Sequence, residues 1–124
     1  MKTRTLATLS KIVIGVTLCG MTGSALAAGA LAISGNPGGT YGWAVAMANS
    51  DLAATAALNR CGIGCQIVLR FEKGCGAYVI DESIRSSISG WGAADTAHAA
   101  QNRAMTECML LGGKSCVVRV WGCN

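Results

Sequence analysis

Proline is almost missing from this chain of 124 residues, with Pro37 the single example. Histidine and phenylalanine are as scarce, each present once, as His98 and Phe71. Aromatic residues make up 5% and charged residues 13%. Each shortage closes a route. A serine or cysteine nucleophile needs a base beside it, and one histidine leaves His98 as the sole imidazole for that work. Nucleic-acid binding needs clustered positive charge, which a chain so poor in charge cannot assemble. Few large apolar side chains and many Ala and Gly residues leave little area to bury, so the core needs help from covalent staples.

The charge that exists is unevenly placed. The net charge is +4, and Lys2, Arg4 and Lys11 contribute three of those positive charges at the start. Ile12 to Leu18 is apolar, and Ala25-Leu26-Ala27 fits a small-x-small cleavage site, so residues 1–27 read as a secretory signal peptide. The remainder, 28–124, carries seven basic against six acidic residues. An uncleaved anchor is the rival reading, because no charge occurs from Ile12 to Ser50. The Gly, Ser, Thr and Ala content of that run, part of which recurs later, argues against stable membrane insertion. Cys19 follows Leu18, not the small residue a lipoprotein signal wants, and is expected to leave with the leader.

Cysteine is the residue in surplus. Setting Cys19 aside leaves Cys61, Cys65, Cys75, Cys108, Cys116 and Cys123, an even set in a small exported chain, which implies disulfides. Zinc is disfavoured, since Cys61-x3-Cys65 and Cys108-x7-Cys116 lack the paired C-x-x-C spacing. No metal or cofactor is expected.

The chain repeats itself. Gly29-Ala30-Leu31-Ala32-Ile33 reads as a strand, Asn36-Pro37-Gly38-Gly39 as a turn, and Tyr41-Gly42-Trp43-Ala44-Val45 as a returning strand. Asn49 or Ser50 caps a helix from about Asp51 to Cys61, with Ala53, Ala57, Leu58 and Cys61 on one face. Gly62 and Gly64 end it, and a strand follows from Cys65, with Ile67, Leu69 and Phe71 on one side. Gly76-Ala77-Tyr78-Val79-Ile80, Gly90-Trp91, a helix capped by Asp95 and reaching about Leu110, and Cys116-Val117-Val118-Arg119-Val120-Trp121-Gly122-Cys123 repeat the order. Ala100, Ala104, Met105 and Cys108 match the first helix's buried face. The predicted fold class is α+β: one disulfide-stapled domain from two tandem β-β-α-β repeats, 29–75 and 76–123. Its strands form one mostly antiparallel sheet, with both helices on one face. Six cysteines allow fifteen pairings; the simplest symmetric choice joins Cys61 to Cys65, Cys108 to Cys116, and Cys75 to Cys123 across the halves.

Gly29-Ala30-Leu31-Ala32-Ile33-Ser34, Tyr41-Gly42-Trp43, Ala57-Leu58-Asn59-Arg60-Cys61, Cys65-Gln66-Ile67-Val68 and Cys75-Gly76-Ala77 resemble the domain of unknown function 4189 family. The resemblance spans about Ala30 to Cys123. It implies a small bacterial secreted or periplasmic protein and supplies no catalytic residue.

Three functions are weighed. The first is an exported non-enzymatic binding protein, periplasmic or secreted. It could be an inhibitor or immunity protein, or an interaction factor, whose partner is another protein: a toxin, a hydrolase or a host factor. Its candidate contacts are Arg70, Arg119 and Trp121, expected on the sheet face opposite the helices, with Trp43 and Trp91 at equivalent hairpin positions; Arg and Trp dominate binding hot spots. The second is a small hydrolase using His98 with Asp95, or Asp81 with Glu82. The third is a structural envelope protein.

Overall fold

The structure, a computed structural model, describes residues 27–35 and 40–124. The expected leader, apart from Ala27, and the expected Asn36–Gly39 turn lie outside the described residues. Eight elements follow in order: β1 (Ala28–Ser34), β2 (Tyr41–Met47), α1 (Ser50–Cys61), β3 (Cys65–Phe71), β4 (Cys75–Asp81), β5 (Ser89–Ala94), α2 (Ala97–Leu110) and β6 (Cys116–Cys123). Two β-β-α-β units are plain in that order, in a single α+β domain stapled by disulfides.

Local chemistry explains the helix starts. Asn49 caps α1, its Oδ1 accepting from the Leu52 N–H at 2.8 Å. Thr96, not Asp95, caps α2, accepting from the Ala99 N–H at 3.2 Å. Each side chain satisfies a first-turn donor that has no intrahelical partner. Small residues then make the packed faces: Ala53, Ala54, Ala57 and Cys61 are buried on α1, and Ala100, Ala104 and Cys108 on α2. Leu58, expected inside, is exposed.

The strands do not form the expected single sheet. They form two three-stranded antiparallel sheets, ordered β2-β1-β3 and β5-β4-β6. The central strand of each is hydrogen-bonded on both sides within its own unit, and the strand pairing stays within the units. Each helix covers one face of its own sheet. Ala28, Ala30, Ala32 and Ala44 meet α1, whereas Cys75, Ala77 and Val79 meet α2.

The contact between helix and sheet is backbone-close. A methyl on Gly42 would run into the Ala57 carbonyl and come within 2.7 Å of the Cys61 nitrogen. A methyl on Gly90 would strike the Ala104 carbonyl and lie 2.6 Å from the Cys108 nitrogen. The two glycines hold equivalent places, so the same device docks both helices.

The faces turned away from the helices stack on each other, giving the layer order helix, sheet, sheet, helix. Phe71 lies against both Gly29 and Gly76, and Trp43 against Gly76 and Gly122. The rings of Trp43 and Phe71 are 5.6 Å apart, and those of Tyr41 and Tyr78 5.4 Å. Leu31 is fully buried.

Both units carry a bulge in the last strand. Leu31 pairs with Leu69 but Ala32 with Ile67; Tyr78 pairs with Val120 but Val79 with Val118. The extra residue, Val68 or Arg119, breaks the period of two. Ile67 therefore joins the α1 side while Leu69 and Phe71 turn to the other sheet, which corrects the expected shared face.

The disulfides are Cys61–Cys65, Cys75–Cys123 and Cys108–Cys116. The first and last tie a helix end to the next strand. Cys75 opens β4 and lies directly opposite Cys123, so that bridge is internal to the second unit, not between halves as expected.

Asn124 fixes the relative direction of the layers. Its Oδ1 accepts from the Ala46 N–H at 2.8 Å, its Nδ2 donates to the Phe71 and Glu72 carbonyls at 3.2 and 2.7 Å, and its N–H donates to the Gly74 carbonyl at 2.9 Å. The ends of β2, β3 and β6 thus meet at one pole. Both helices start at that pole and run to the opposite one, where the links 62–64, 82–88 and 111–115 lie.

Candidate functional site

The proposed Arg–Trp face does not assemble. Arg70 lies opposite Ala30 and Trp121 opposite Ala77, so both belong to helix sides of their sheets, one in each unit. Arg70 Nη1 donates to Ser50 Oγ at 3.2 Å and lies 3.8 Å from the Asp51 carboxylate, steadying the start of α1. An exposed pair of this kind contributes little. Arg119, in the bulge, turns the other way and sets its guanidinium 5.7 Å from the centre of the Tyr41 ring, a cation–π geometry. Burial pushes the neighbouring Tyr78 phenol above its ordinary pKa, against the opposing pull of a Ser89 hydrogen bond and the Arg119 charge. Trp43 is half-buried between the sheets, and Trp91, opposite Tyr78, is half-buried too. Of the three tryptophans, Trp121 keeps half its surface in water, at 51%, and Arg70 and Arg119 are exposed as well.

The hydrolase candidates are also separated. His98 is exposed on α2, its Nε2 3.1 Å from the Asn102 amide. Asp95 lines a shallow depression of about 490 Å³ with Lys73, Thr96 and Arg103. Arg103 already donates there to the Ala93 carbonyl at 2.9 Å. Asp81 and Glu82 divide: Glu82 is exposed, whereas Asp81 is buried. The Asp81 carboxylate accepts from Ser83 Oγ at 2.8 Å, the Ser83 N–H at 3.2 Å and the Ser115 N–H at 2.9 Å. Hydrogen bonding, chiefly from the Ser86 hydroxyl and then from Ser115 and Ser83, outweighs desolvation and holds its pKa well below the usual carboxylate range. A carboxylate committed this way braces a loop and is a poor proton carrier.

The feature not anticipated from sequence lies at the pole remote from Asn124. Ile63 and Ile84 stand fully in water, at 105% and 93% exposure, and Met109, Leu110 and Leu111 are exposed at the same pole. Each sits on a braced support. Ile63 is held between Gly62 and Gly64, both at positive φ, inside the loop closed by Cys61–Cys65. Leu110 and Leu111 lie within the loop closed by Cys108–Cys116. Ile84 is at the tip of a turn in which the Ser86 N–H donates to the Ser83 carbonyl at 3.0 Å, anchored by Asp81. The two loops of the second unit touch, since the Glu82 N–H donates to the Ser115 carbonyl at 3.0 Å. The sequence signal was available: an isoleucine flanked by glycines, another among serines, and an unbroken Met-Leu-Leu run past the last buried helix position.

Among the described residues, no helix is long and apolar enough to cross a membrane, and no three His, Cys, Asp or Glu side chains gather as a metal site would need. The family model described as Domain of unknown function (DUF4189) matches residues 28–123. No curated protein and no solved structure matches the chain.

Proposed function

The chain belongs to the DUF4189 family, whose description assigns no activity, and we propose that it is an exported, non-enzymatic binding protein. It engages its partner through the pole bearing Ile63, Ile84, Met109, Leu110 and Leu111. One observation carries this reading: large aliphatic side chains stand in water on links held by two disulfides and a buried carboxylate. Flexible loops would fold such side chains back onto the body. Rigid ones keep them available, and rigidity lowers the ordering cost of association. Isolated exposed leucines are ordinary, but five large aliphatic side chains exposed at one end of the molecule mark an interaction surface. Three disulfides suit an oxidising compartment outside the cytoplasm.

Photo-crosslinking tests the reading. A crosslinking residue at position 84 or 111 of the exported protein should give adducts inside the cell envelope, while one at Glu72, on the opposite pole, should not. Silence from positions 84 and 111 would refute it. So would a hydrolytic activity that His98→Ala abolishes while the fold and disulfides persist.

A further inference from the structure

We infer that the exposed pole docks on the anionic surface of a lipid bilayer, with Ile63, Ile84 and Leu110-Leu111 entering the headgroup layer. This rests on the binding reading above and names the occupant.

The distribution of the side chains favours a lipid layer over a protein. A protein partner is held by a contiguous, desolvated centre with aromatic and arginine anchors. Here the anchors are aliphatic, stand on separate links, and come from both units. Ile63 belongs to the first helix-and-sheet pair and Ile84 to the second, with two stacked sheets between α1 and α2. Stacked sheets are about 10 Å apart, so the tips are well spread. They share a pole, because Asn124 gathers the ends of β2, β3 and β6 at the other one. A fluid, planar layer can receive several separated tips at once without a shaped counterpart.

The charges agree. Arg85 is adjacent to Ile84, and Lys114 follows Leu111 in the same pair of touching loops; both are exposed. Cations placed just behind inserted apolar side chains meet anionic headgroups. Glu82 is the acidic residue in these loops, and Glu107 lies one turn back on α2. At the opposite pole the acids Asp51, Glu72 and Asp95 are exposed, along with Lys73, and Leu52 is exposed there at 47%, about half the exposure of Ile63 or Ile84. Docking by loop tips requires no spanning segment, so it is compatible with helices too short to cross.

Co-sedimentation with vesicles tests the inference, using the exported, oxidised protein. It should pellet with phosphatidylcholine vesicles containing phosphatidylglycerol and much less with phosphatidylcholine alone. Ile63→Ser and Ile84→Ser should each weaken binding about tenfold, the scale expected for withdrawing one aliphatic side chain from an apolar layer. Arg85→Gln with Lys114→Gln should remove the preference for anionic vesicles. Ile63 is fully exposed, so its variant keeps the fold, checked by melting and by the mass of the bridged chain. Failure to pellet with either vesicle, or unchanged binding by both serine variants, overturns the lipid assignment. If crosslinks from position 84 then contain a protein and not lipid, the binding function stands with a protein occupant. If they contain neither, that function fails as well.

Discussion

Gly42→Ala is the substitution that tests the architecture most sharply, because two effects of opposite sign compete. Replacing a strand glycine by alanine reduces the freedom of the unfolded chain and normally stabilises by about 0.4–1 kcal/mol. Here the new methyl has no room. It meets the Ala57 carbonyl and reaches 2.7 Å from the Cys61 nitrogen, both backbone atoms of α1. Backbone cannot rotate aside as a side chain does, so α1 must lift from the sheet along its Ala53, Ala57 and Cys61 contact. Overpacking of this kind costs about 1–3 kcal/mol. For a domain of this size, each kcal/mol lowers the melting temperature by about 4–8 °C. Set against the entropic gain, a net loss of about 1–2 kcal/mol remains, so a fall of about 5–15 °C is expected in a thermal melt followed by circular dichroism under oxidising conditions. Gly90→Ala should behave alike, since its methyl meets the Ala104 carbonyl of α2. The two contacts lie in different layers, so the double variant should show the sum. Gly35→Ala, whose methyl would have nothing within 4 Å, is the control and should melt at or above the wild-type temperature. If Gly42→Ala did the same, the close docking of strand on helix would be wrong.

Three further outcomes follow from the structure. Phe71→Ala removes the ring lodged against Gly29 and Gly76 and should destabilise by about 3–5 kcal/mol, read by chemical denaturation; a loss under 1 kcal/mol would contradict the stacked-sheet interface. Removing Cys75–Cys123 with paired serines opens a separation of 48 residues, against 4 for Cys61–Cys65, so loop entropy gives losses of about 4 and about 2 kcal/mol; the reverse order would show that strain or residual structure dominates. Asp81 has a pKa lowered by the Ser86, Ser115 and Ser83 hydrogen bonds, so its contribution is complete above the unfolded carboxylate value near 4 and disappears as pH falls through its lower folded value. The melting gap between wild type and Asp81→Asn should therefore be constant at neutral pH and close below about pH 4; a gap independent of pH would place the stabilisation elsewhere.

Much of the fold is legible in the residues. Helix starts announce themselves through Asn49, and helix faces through alanines three and four apart. The repeat pairs Cys61 with Cys65 and Cys108 with Cys116 because each pair flanks a helix end. What failed has a common cause. An alternating pattern assumes an unbroken strand, and the extra residue at Val68 and at Arg119 shifts everything beyond it to the other face. That slip sent Arg119 and Trp121 to different sides and dissolved the expected surface. Cys75 misled for a different reason: its sequence position after the third strand suggested the end of a unit, while hydrogen bonding makes it the first residue of β4. Asp81 looked like an idle acid because the donors that occupy it come from residues 83, 86 and 115, and the last is distant in sequence. The exposed aliphatic pole was written in the chain but is recognisable only once the core is known to have no place for those residues.

The duplication is even in backbone but uneven in side chains. Phe71 and Gly122 hold matching positions opposite Gly29 and Gly76, so one unit supplies the knob and the other the hollow. Two copies of the first unit would bring two rings to the same space, and two copies of the second would leave a void. The halves have become obligate, non-interchangeable counterparts: an ancestor built from identical units would have needed a different filling at its seam, and neither present half can replace the other.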